Sequence, residues 1–259
     1  MSTTMAGATA KRLILIPSSK GGIGKTTIAR LIGEAHREQG THAVIVDADS
    51  AVGQLAKHLG ARNGHAGLLD PQPVDGGVIM LDWHADVRGR DQIAAVLAYG
   101  MPSIIVDMPG GSLGTLLELD AEADLIATIA AAGYQVTVVV LITPYRETWA
   151  DAARIRAWVP GADLVAVVNE GFGDADDFSD WRASETRAKL LASPRTKEVI
   201  IPRLESRIAA SIAGHRLAFR AAAESEHLAV LDRGRARRWL TRCDDALAPV
   251  SAELGLAVR

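Results

Sequence analysis

The chain has 259 residues, 48% of them hydrophobic, and a formal net charge of -3, which together favour a globular protein with a sizeable core over a chain coated in nucleic acid. It has no run of eighteen uncharged apolar residues, so a membrane-spanning helix is excluded. Cys243 is the only cysteine and residues 1–10 lack the apolar core of a secretory signal, so we expect a cytoplasmic protein without disulfides or a cysteine-bound cluster.

Short apolar runs alternate with helical patterns along the chain, as in parallel strands joined by crossover helices. We therefore predict one α/β domain over residues 11–259, with a flexible N-terminus before it. Its core would be a three-layer arrangement, a mostly parallel sheet of seven to eight strands with helices on both faces. The predicted strands cover residues 13–16, 43–46, 78–81, 104–106, 136–142, 164–168 and 198–201. The predicted helices cover 26–39, 90–99, 113–132, 148–158, 178–191, 206–224 and 234–247, and residues 60–77 are predicted to be an inserted or mobile connection.

A glycine-rich loop joins the first predicted strand to the first predicted helix, and residues 20–27 read K-G-G-I-G-K-T-T. Glycines let backbone N–H groups converge on phosphate oxygens, and the helix N-terminus adds a partial positive charge. The loop therefore predicts an ATP site, in which Lys25 contacts the β- and γ-phosphates and the Thr26 hydroxyl binds Mg²⁺. The predicted nucleotide-binding residues of the loop are Gly21, Gly22, Ile23, Gly24, Lys25, Thr26 and Thr27.

The loop departs from the strict P-loop pattern, since Ser19 stands in place of the first glycine and Lys20 follows it. In this form it resembles the deviant Walker A box of the ParA/MinD family, the SIMIBI-class P-loop ATPases. The resemblance extends over about residues 13–222 and is sharp only at short motifs. It implies that Lys20 reaches across an interface to ATP bound in a second copy, so that ATP joins a homodimer. Lys20, Lys25 and Asp49 would then be the catalytic residues.

Two carboxylates, Asp47 and Asp49, end the second predicted strand, at the edge where open α/β sheets bind ligands. The resemblance implies that Asp49 orients or activates the attacking water and that Asp47 lies near Mg²⁺, with water between. An aspartate that merely caps a helix would explain one of the two carboxylates. Ser50 and Ala51 stand where the family usually has Pro-Gln.

The fourth predicted strand ends in Asp107, followed by Met-Pro-Gly, and resembles the family's Walker B segment. Asp107 would anchor Mg²⁺ through water, and Gly110 with Gly111 would form the pivot of a second switch. Residues 110–114 also fit the G-x-S-x-G nucleophile elbow of esterases, with Ser112 as nucleophile and His215 or His227 as base. That alternative leaves both lysines and the carboxylates unexplained.

Asn169 follows the sixth predicted strand and matches the position at which the family reads adenine. An amide can both donate and accept hydrogen bonds, as that role requires. A turn-forming asparagine before Glu170 and Gly171 is the alternative. Pro202, after the seventh predicted strand, resembles the proline that lies against the base in the family.

Residues 203–242 contain nine arginines, no lysine and four acidic residues. In ParA-like ATPases the nucleotide-bound dimer binds DNA non-specifically, and the resemblance implies the same here. The alternative is a solvated helix face offset by nearby acids. The terminal residues 246–259 contain Pro249 and one arginine, which does not favour a membrane-binding helix. The candidate DNA contacts are Arg216, Arg220, Arg235, Arg237 and Arg238.

The resemblance as a whole implies a slow ATPase, stimulated by a partner protein, that serves DNA segregation or positioning, or plasmid transfer, and associates with the nucleoid. The layout of the sequence after Val140 looks most like that of plasmid partition or conjugal-transfer proteins. Two alternatives stay open: a nucleotide-gated adaptor without DNA binding, and an ATP-dependent ligase of the dethiobiotin synthetase type with a substrate pocket near Ser112 or Tyr145. A reductase resembling the nitrogenase iron protein would need two cysteines for its bridging cluster.

Overall fold

The computed structural model describes residues 10–49, 53–63, 67–84 and 87–257. Residues 1–9, which form most of the predicted flexible N-terminus, lie outside the described residues. The same holds for Ser50 and Ala51 and for residues 64–66 of the predicted 60–77 connection. The structure therefore leaves the predictions for these positions as they stand.

The seven predicted strands all form, and in the described chain they build one sheet. They are β1 (Lys11–Ser18), β2 (Ala43–Asp47), β3 (Ile79–Met80), β4 (Ser103–Gly110), β5 (Tyr134–Ile142), β6 (Asp163–Asn169) and β7 (Thr196–Ile201). Their order is β3-β2-β4-β1-β5-β6-β7, and each neighbouring pair is parallel. The predicted fold class, a single α/β domain with helices on both faces of a parallel sheet, is confirmed.

The helices of the described chain lie between and after these strands. They are α1 (Lys25–Glu38), α2 (Gln54–Leu59), α3 (Val87–Leu97), α4 (Ser112–Ala123), α5 (Leu125–Ala131), α6 (Arg146–Trp158), α7 (Ser179–Ala183), α8 (Glu185–Leu191), α9 (Ser206–Gly214), α10 (Phe219–Ala222) and α11 (Val230–Leu247). Within the described residues, none combines the length and the apolar character that crossing a membrane requires.

Three predicted helices are each broken in two, so their predicted continuity was wrong. Asp124 separates α4 from α5 and Arg216 lies between α9 and α10, both in the left-handed region with φ of 48° and 53°. Ser184 separates α7 from α8 and accepts a hydrogen bond from the Arg187 amide as an N-cap. The six-residue α2 was missed because it is too short to show a helical period.

Two cores cover the two faces of the sheet. Alternate residues of β1 point to opposite faces: Ile14 and Ile16 to one core, Leu13 and Leu15 to the other, and all are at most 1% exposed. Helices α1, α2, α9, α10 and α11 contribute to the first core, and α3 to α8 to the second. The strands thus read as unbroken apolar runs because both faces are buried.

All parallel strands present their carboxyl ends at one edge of the sheet. There β1 lies between β4 and β5, where consecutive crossovers switch sides of the sheet. In the register, Ser18 pairs with Gly110 and Asp47 pairs with Asp107. This crevice is where open α/β sheets bind their ligands.

The described part of the 60–77 connection is held by the side chain of Gln72. Its Oε1 accepts hydrogen bonds from the Ala61 and Val78 amides at 2.7 and 3.2 Å, and its Nε2 donates to the Ala61 and Leu69 carbonyls. Gln72→Ala would leave the buried Val78 amide and the partly buried groups of Ala61 and Leu69 without these partners. We expect a loss of about 2–3 kcal/mol in the free energy of unfolding, measured by urea denaturation.

Gln92→Ala is the matched control, since Gln92 is exposed on α3. Its unfolding free energy should change by no more than about 0.5 kcal/mol. Equal stabilities of the two variants would show that the connection is not anchored by Gln72.

Candidate functional site

The loop between β1 and α1 has the backbone of a phosphate cradle. Gly22 and Gly24 adopt φ values of 70° and 97°, which L-amino acids rarely adopt. A Cβ at Gly24 would also lie 2.5 Å from the Asn169 Nδ2, so glycine is required there on two grounds. Gly24 precedes α1 without any side-chain cap, which leaves the first N–H groups of the helix available to an anion.

Lys25, the first residue of α1, is 7% exposed and borders this cradle. Its Nζ donates to the Ser18 Oγ at 2.8 Å and to the Lys20 carbonyl at 3.3 Å. Burial lowers the pKa of Lys25, while the nearby carboxylates, Asp107 first among them, oppose that shift. The ammonium is therefore held at the mouth of the loop in a site that favours an anionic ligand.

Lys20 occupies a different place from Lys25. It is exposed, and its Nζ lies 4.2 Å from the centroid of the Tyr145 ring, which is itself 50% exposed. This is the distance of a cation–π contact. The described residues that line the cleft in front of this loop do not include Lys20.

Asp151 on α6 holds the start of the loop, a role that the sequence reasoning missed. Its two carboxylate oxygens accept from the Ser19 amide at 2.7 Å and from the Ser19 hydroxyl at 2.6 Å. Ser19, which replaces the first glycine of the strict P-loop pattern, is thereby tied to a helix 132 residues away in the chain. The available signal was an acidic residue in the buried stripe of α6, beside Ala152 and Ile155.

The cleft in front of the loop has a volume of 340 Å³, and three carboxylates, Asp47, Asp49 and Asp107, line it together with Lys25. Asp107 is 3% exposed, and its Oδ1 has no hydrogen-bond partner in the described chain. Burial raises the pKa of Asp107 to about 7, although a hydrogen bond from Thr26 opposes the shift. The lining residues are Gly21, Gly22, Gly24, Lys25, Thr26, Thr27, Asp47, Asp49, Gln54, Asp107, Met108, Pro109 and Gly110.

A buried carboxylate oxygen without a partner, beside a threonine hydroxyl, fits a hard cation such as Mg²⁺. In the described residues, no set of three or more His, Cys, Asp or Glu side chains could hold a metal ion by itself. Mg²⁺ commonly takes one or two protein oxygens and completes its shell with water and phosphate, so the donors present suit it.

The two carboxylates that end β2 differ in their contacts. Asp47 is 1% exposed and accepts from the Asp49 and Ala56 amides at 3.2 and 3.1 Å, so it caps the start of α2. Burial is the main reason that the pKa of Asp47 is raised. Asp49 is half-buried and its side chain lines the cleft. The capping explanation therefore accounts for Asp47, and Asp49 is the carboxylate open to a ligand.

The end of β4 touches the phosphate loop. A Cβ at Gly110 would lie 2.7 Å from the Gly21 Cα, so only glycine permits this approach. Gly111, with φ of 81°, then begins α4. The glycines predicted as a second switch thus join the Asp107 strand directly to the loop.

A second cleft of 500 Å³ adjoins the first, and the two share Gly22, Gly24 and Thr27 in their linings. Asn169 and Pro202, predicted to contact the base, both line it. Asn169 already donates from Nδ2 to the Ile23 carbonyl at 3.0 Å and accepts at Oδ1 from Gly171 at 3.0 Å. Each end of an amide can form a second hydrogen bond, so these contacts leave capacity for a ligand.

The arginines predicted to bind DNA are largely paired with acids. Arg220, Arg235 and Arg237 each lie 2.7–2.8 Å from a carboxylate oxygen. Arg216 and Arg238 are exposed and have no ion pair within the described residues. For three of the five arginines, the geometry corresponds to the alternative of a helix face offset by acids, because a paired guanidinium has fewer donors for phosphates.

The esterase alternative lacks a usable nucleophile. Ser112 is fully buried and its Oγ accepts a hydrogen bond from the Ser18 amide at 3.4 Å. His215 and His227, the proposed bases, are exposed and stack on each other with ring centroids 4.3 Å apart. In the described chain neither histidine hydrogen-bonds Ser112, so the elbow pattern at residues 110–114 is a structural coincidence.

Several solved structures are similar to this chain. The MinD cell division protein of Aquifex aeolicus has a TM-score of 0.48 and 18% identity, over 89% of this chain and 97% of that one. A MinC:MinD cell division protein complex of Aquifex aeolicus gives 0.49 and 17%, over 89% and 96%. A nucleotide-binding protein of Archaeoglobus fulgidus in complex with ADP gives 0.44 and 18%, over 83% and 89%. No protein-family model and no curated protein matches the chain. The chemistry of the cleft, and not these likenesses, carries the functional conclusion.

Proposed function

We propose that the chain is a ParA-like ATPase that binds Mg²⁺ and ATP, forms an ATP-sandwich homodimer and hydrolyses ATP slowly. ATP binding and hydrolysis would act as a switch for DNA segregation or positioning, or for plasmid transfer. A partner protein would stimulate hydrolysis. The site would be complete only in the dimer, so turnover would be slow until a second subunit or partner is bound.

The separate positions of the two loop lysines carry this proposal. Lys25 lines its own phosphate cleft, whereas Lys20 is exposed at the rim beside Tyr145. A cation that does not serve its own cleft is available to the phosphates held by another copy. The contact with Tyr145 is a weak one, worth about 0.5–1 kcal/mol at an exposed site, so phosphate oxygens can displace it.

The carboxylates of the cleft would have different roles in binding Mg²⁺ and in hydrolysis. Bound Mg²⁺ would neutralise charge on the β- and γ-phosphates. The Thr26 hydroxyl and Asp107, the latter through water, would hold the cation, and Asp47 would lie behind them as the cap of α2. Asp49 would orient the attacking water, because its side chain lines the cleft and makes no hydrogen bond in the described chain.

A nucleotide-gated adaptor without DNA binding is the second candidate. The ion pairs of Arg220, Arg235 and Arg237 favour it, since they reduce the positive charge offered to a phosphate backbone. DNA binding would then rest on Arg216 and Arg238, which are exposed. The two candidates share the nucleotide chemistry and differ in what the dimer binds.

Sedimentation velocity with and without Mg²⁺ and ATP tests the proposal. We expect the wild type to be a monomer without nucleotide and a dimer with it, and Lys20→Ala to stay monomeric because the contact across the interface is lost. Asp49→Ala should form a dimer that persists after the wild-type dimer has returned to monomer, because hydrolysis is blocked. Lys189→Ala is the control, as Lys189 is exposed on α8 and pairs with Glu185.

A wild type that stays monomeric with ATP would exclude the sandwich dimer. DNA binding by the dimer is then measured at roughly 50 and 200 mM salt, where a phosphate-contacting protein loses affinity steeply. Loss of that binding in an Arg216→Ala, Arg238→Ala double variant would support the segregation role. A dimer that ignores DNA at both salt concentrations would favour the adaptor.

A further inference from the structure

Arg30 is a buried cation on α1, one and a half turns beyond the phosphate loop. It is 6% exposed, and its guanidinium carbon lies 3.7 Å from the centroid of the Phe219 ring. Its Nη2 donates to the Leu217 carbonyl at 2.8 Å. A guanidinium has five N–H donors, so this single hydrogen bond leaves most of them unused.

The remaining donors of Arg30 have no protein partner in the described part of the chain. Its Nε is buried without a hydrogen bond, and no hydrogen bond from Nη1 is present there. The negative charge of Glu34, one turn along the helix, partly offsets the effect of burial on the pKa of Arg30. Its carboxylate accepts hydrogen bonds from the Phe219 and Arg220 amides at 2.9 and 2.8 Å, and in the described chain it accepts none from Arg30. Burial lowers the pKa of Arg30 to about 10, so the group stays charged at neutral pH. A buried charge with so few contacts is costly unless a ligand completes them.

Arg30 lines the 500 Å³ cleft that adjoins the phosphate loop. The same cleft is lined by three aromatic side chains, Phe172, Phe219 and Trp239, and by Pro202. Flat apolar walls with a buried cationic donor, beside the Asn169 amide, suit a heteroaromatic ring that carries hydrogen-bond acceptors. Because Gly22, Gly24 and Thr27 line both clefts, a nucleotide with its phosphates on the loop would extend its base into this one.

We propose that Arg30 contacts the base of the bound nucleotide by donating a hydrogen bond to a ring nitrogen of a purine. This inference rests on the proposed function, since it requires that a nucleoside triphosphate occupies the site. Purines present acceptors at N1, N3 and N7, and guanidinium donors pair well with such acceptors. Arg30 would thus contribute to base selectivity while the loop contributes affinity for phosphate.

The test measures binding by calorimetry for ATP, its 1-deaza, 3-deaza and 7-deaza analogues, and inorganic tripolyphosphate, each with Mg²⁺. Each deaza analogue lacks one ring acceptor, and tripolyphosphate lacks the base altogether. We expect the wild type to bind one deaza analogue roughly tenfold more weakly than ATP, the effect of one charge-assisted hydrogen bond. Arg30→Met should bind ATP and that analogue equally, and should keep the wild-type affinity for tripolyphosphate.

Two further variants separate recognition from folding. Arg30→Lys keeps the charge and the stem, so it should fold even where Arg30→Met does not, and it should recover part of the discrimination. Arg37→Met is the matched control, because Arg37 lies on the same helix and donates to the Leu59, Gly76 and Gly77 carbonyls, away from the cleft. It should discriminate among the analogues as the wild type does.

The possible failures are distinguishable. If the wild type binds ATP but none of the deaza analogues is weakened, or if Arg30→Met and Arg30→Lys discriminate as the wild type does, Arg30 does not read the base. If the wild type binds neither ATP nor tripolyphosphate, the proposed function itself fails.

Discussion

Lys25→Met should weaken the binding of ATP by about a hundredfold or more and leave the fold intact. The Lys25 ammonium is buried at the mouth of the loop, where its Nζ is 2.8 Å from the Ser18 Oγ. Charge-assisted hydrogen bonds to two phosphates are worth about 1.5–3 kcal/mol each, which corresponds to this loss in affinity. Burial already lowers the pKa of Lys25, so an uncharged side chain of similar length should be tolerated. Calorimetry with Mg²⁺ and ATP gives the affinity, and urea denaturation gives the stability.

Lys189→Met controls for the loss of a lysine in general. Lys189 is exposed on α8, and its Nζ lies 2.8 Å from Glu185, an i,i+4 surface pair. Such pairs contribute about 0.3–0.5 kcal/mol, so neither the fold nor the affinity for ATP should change noticeably. A Lys25→Met variant that binds ATP like the wild type would show that the loop is not a phosphate site.

The sequence predicted the position of every strand and that Asp47 and Asp107 lie at one edge of the sheet. Asp47 and Asp107 could be expected to meet because both follow apolar strands of a parallel sheet, and they pair in the register. The sequence identified Gly24 and Gly110 as loop glycines. It did not show why each position requires glycine. The close approach of Gly110 to Gly21 depends on how β4 packs beside the loop.

Other features depended on partners distant in the chain. Asp151 holds Ser19 from 132 positions away, and Glu34 binds the Phe219 amide from 185 positions away. A charged residue in the apolar stripe of a helix must have a hydrogen-bond or ion-pair partner in the fold. The sequence does not show which group that partner is. Arg30 and Glu34 lie four residues apart in such a stripe, beside Leu31 and Ile32 of α1.

The charge of the arginine-rich section also depended on partners distant in the chain. Counting residues gives an excess of arginine over acid, whereas Arg220 is paired with Glu38 of α1 and Asp244 of α11. Glu38 lies far outside the arginine-rich segment, so a count confined to that segment overstated its free positive charge. The same pairing joins α1, which begins at the phosphate loop, to α10 and α11 of the arginine-rich section.

Asp107→Asn should have opposite effects on the stability of the nucleotide-free chain and on the binding of Mg²⁺ with ATP. Burial raises the pKa of Asp107 to about 7, above the unfolded value of 3.8. Between about pH 4 and pH 7 the folded chain therefore holds this proton more tightly than the unfolded chain, and the free energy of unfolding falls as pH rises. Asparagine has the same shape and no charge, so the variant should lack this part of the pH dependence.

At pH 8 the carboxylate is ionised in both states, so Asp107→Asn should be more stable than the wild type by on the order of 2–4 kcal/mol in EDTA. At pH 4 the two should be nearly equal, because the carboxyl is then largely protonated in the folded chain. Urea denaturation at both pH values measures this difference. Asp47 and Glu34, whose pKa values burial also raises, are present in both proteins, so the difference between wild type and variant isolates the contribution of Asp107.

Adding Mg²⁺ and ATP at pH 8 should reverse the order of stability. The wild type gains stability from ligand binding, whereas Asp107→Asn lacks the negative charge that the cation requires and should gain little. Asp245→Asn, at an exposed position of α11, controls for the loss of one acidic residue and should follow the wild type under every condition. If Asp107→Asn is less stable than the wild type in EDTA at pH 8, the carboxylate is structural. If instead the variant gains as much as the wild type from Mg²⁺ and ATP, Asp107 does not hold the cation.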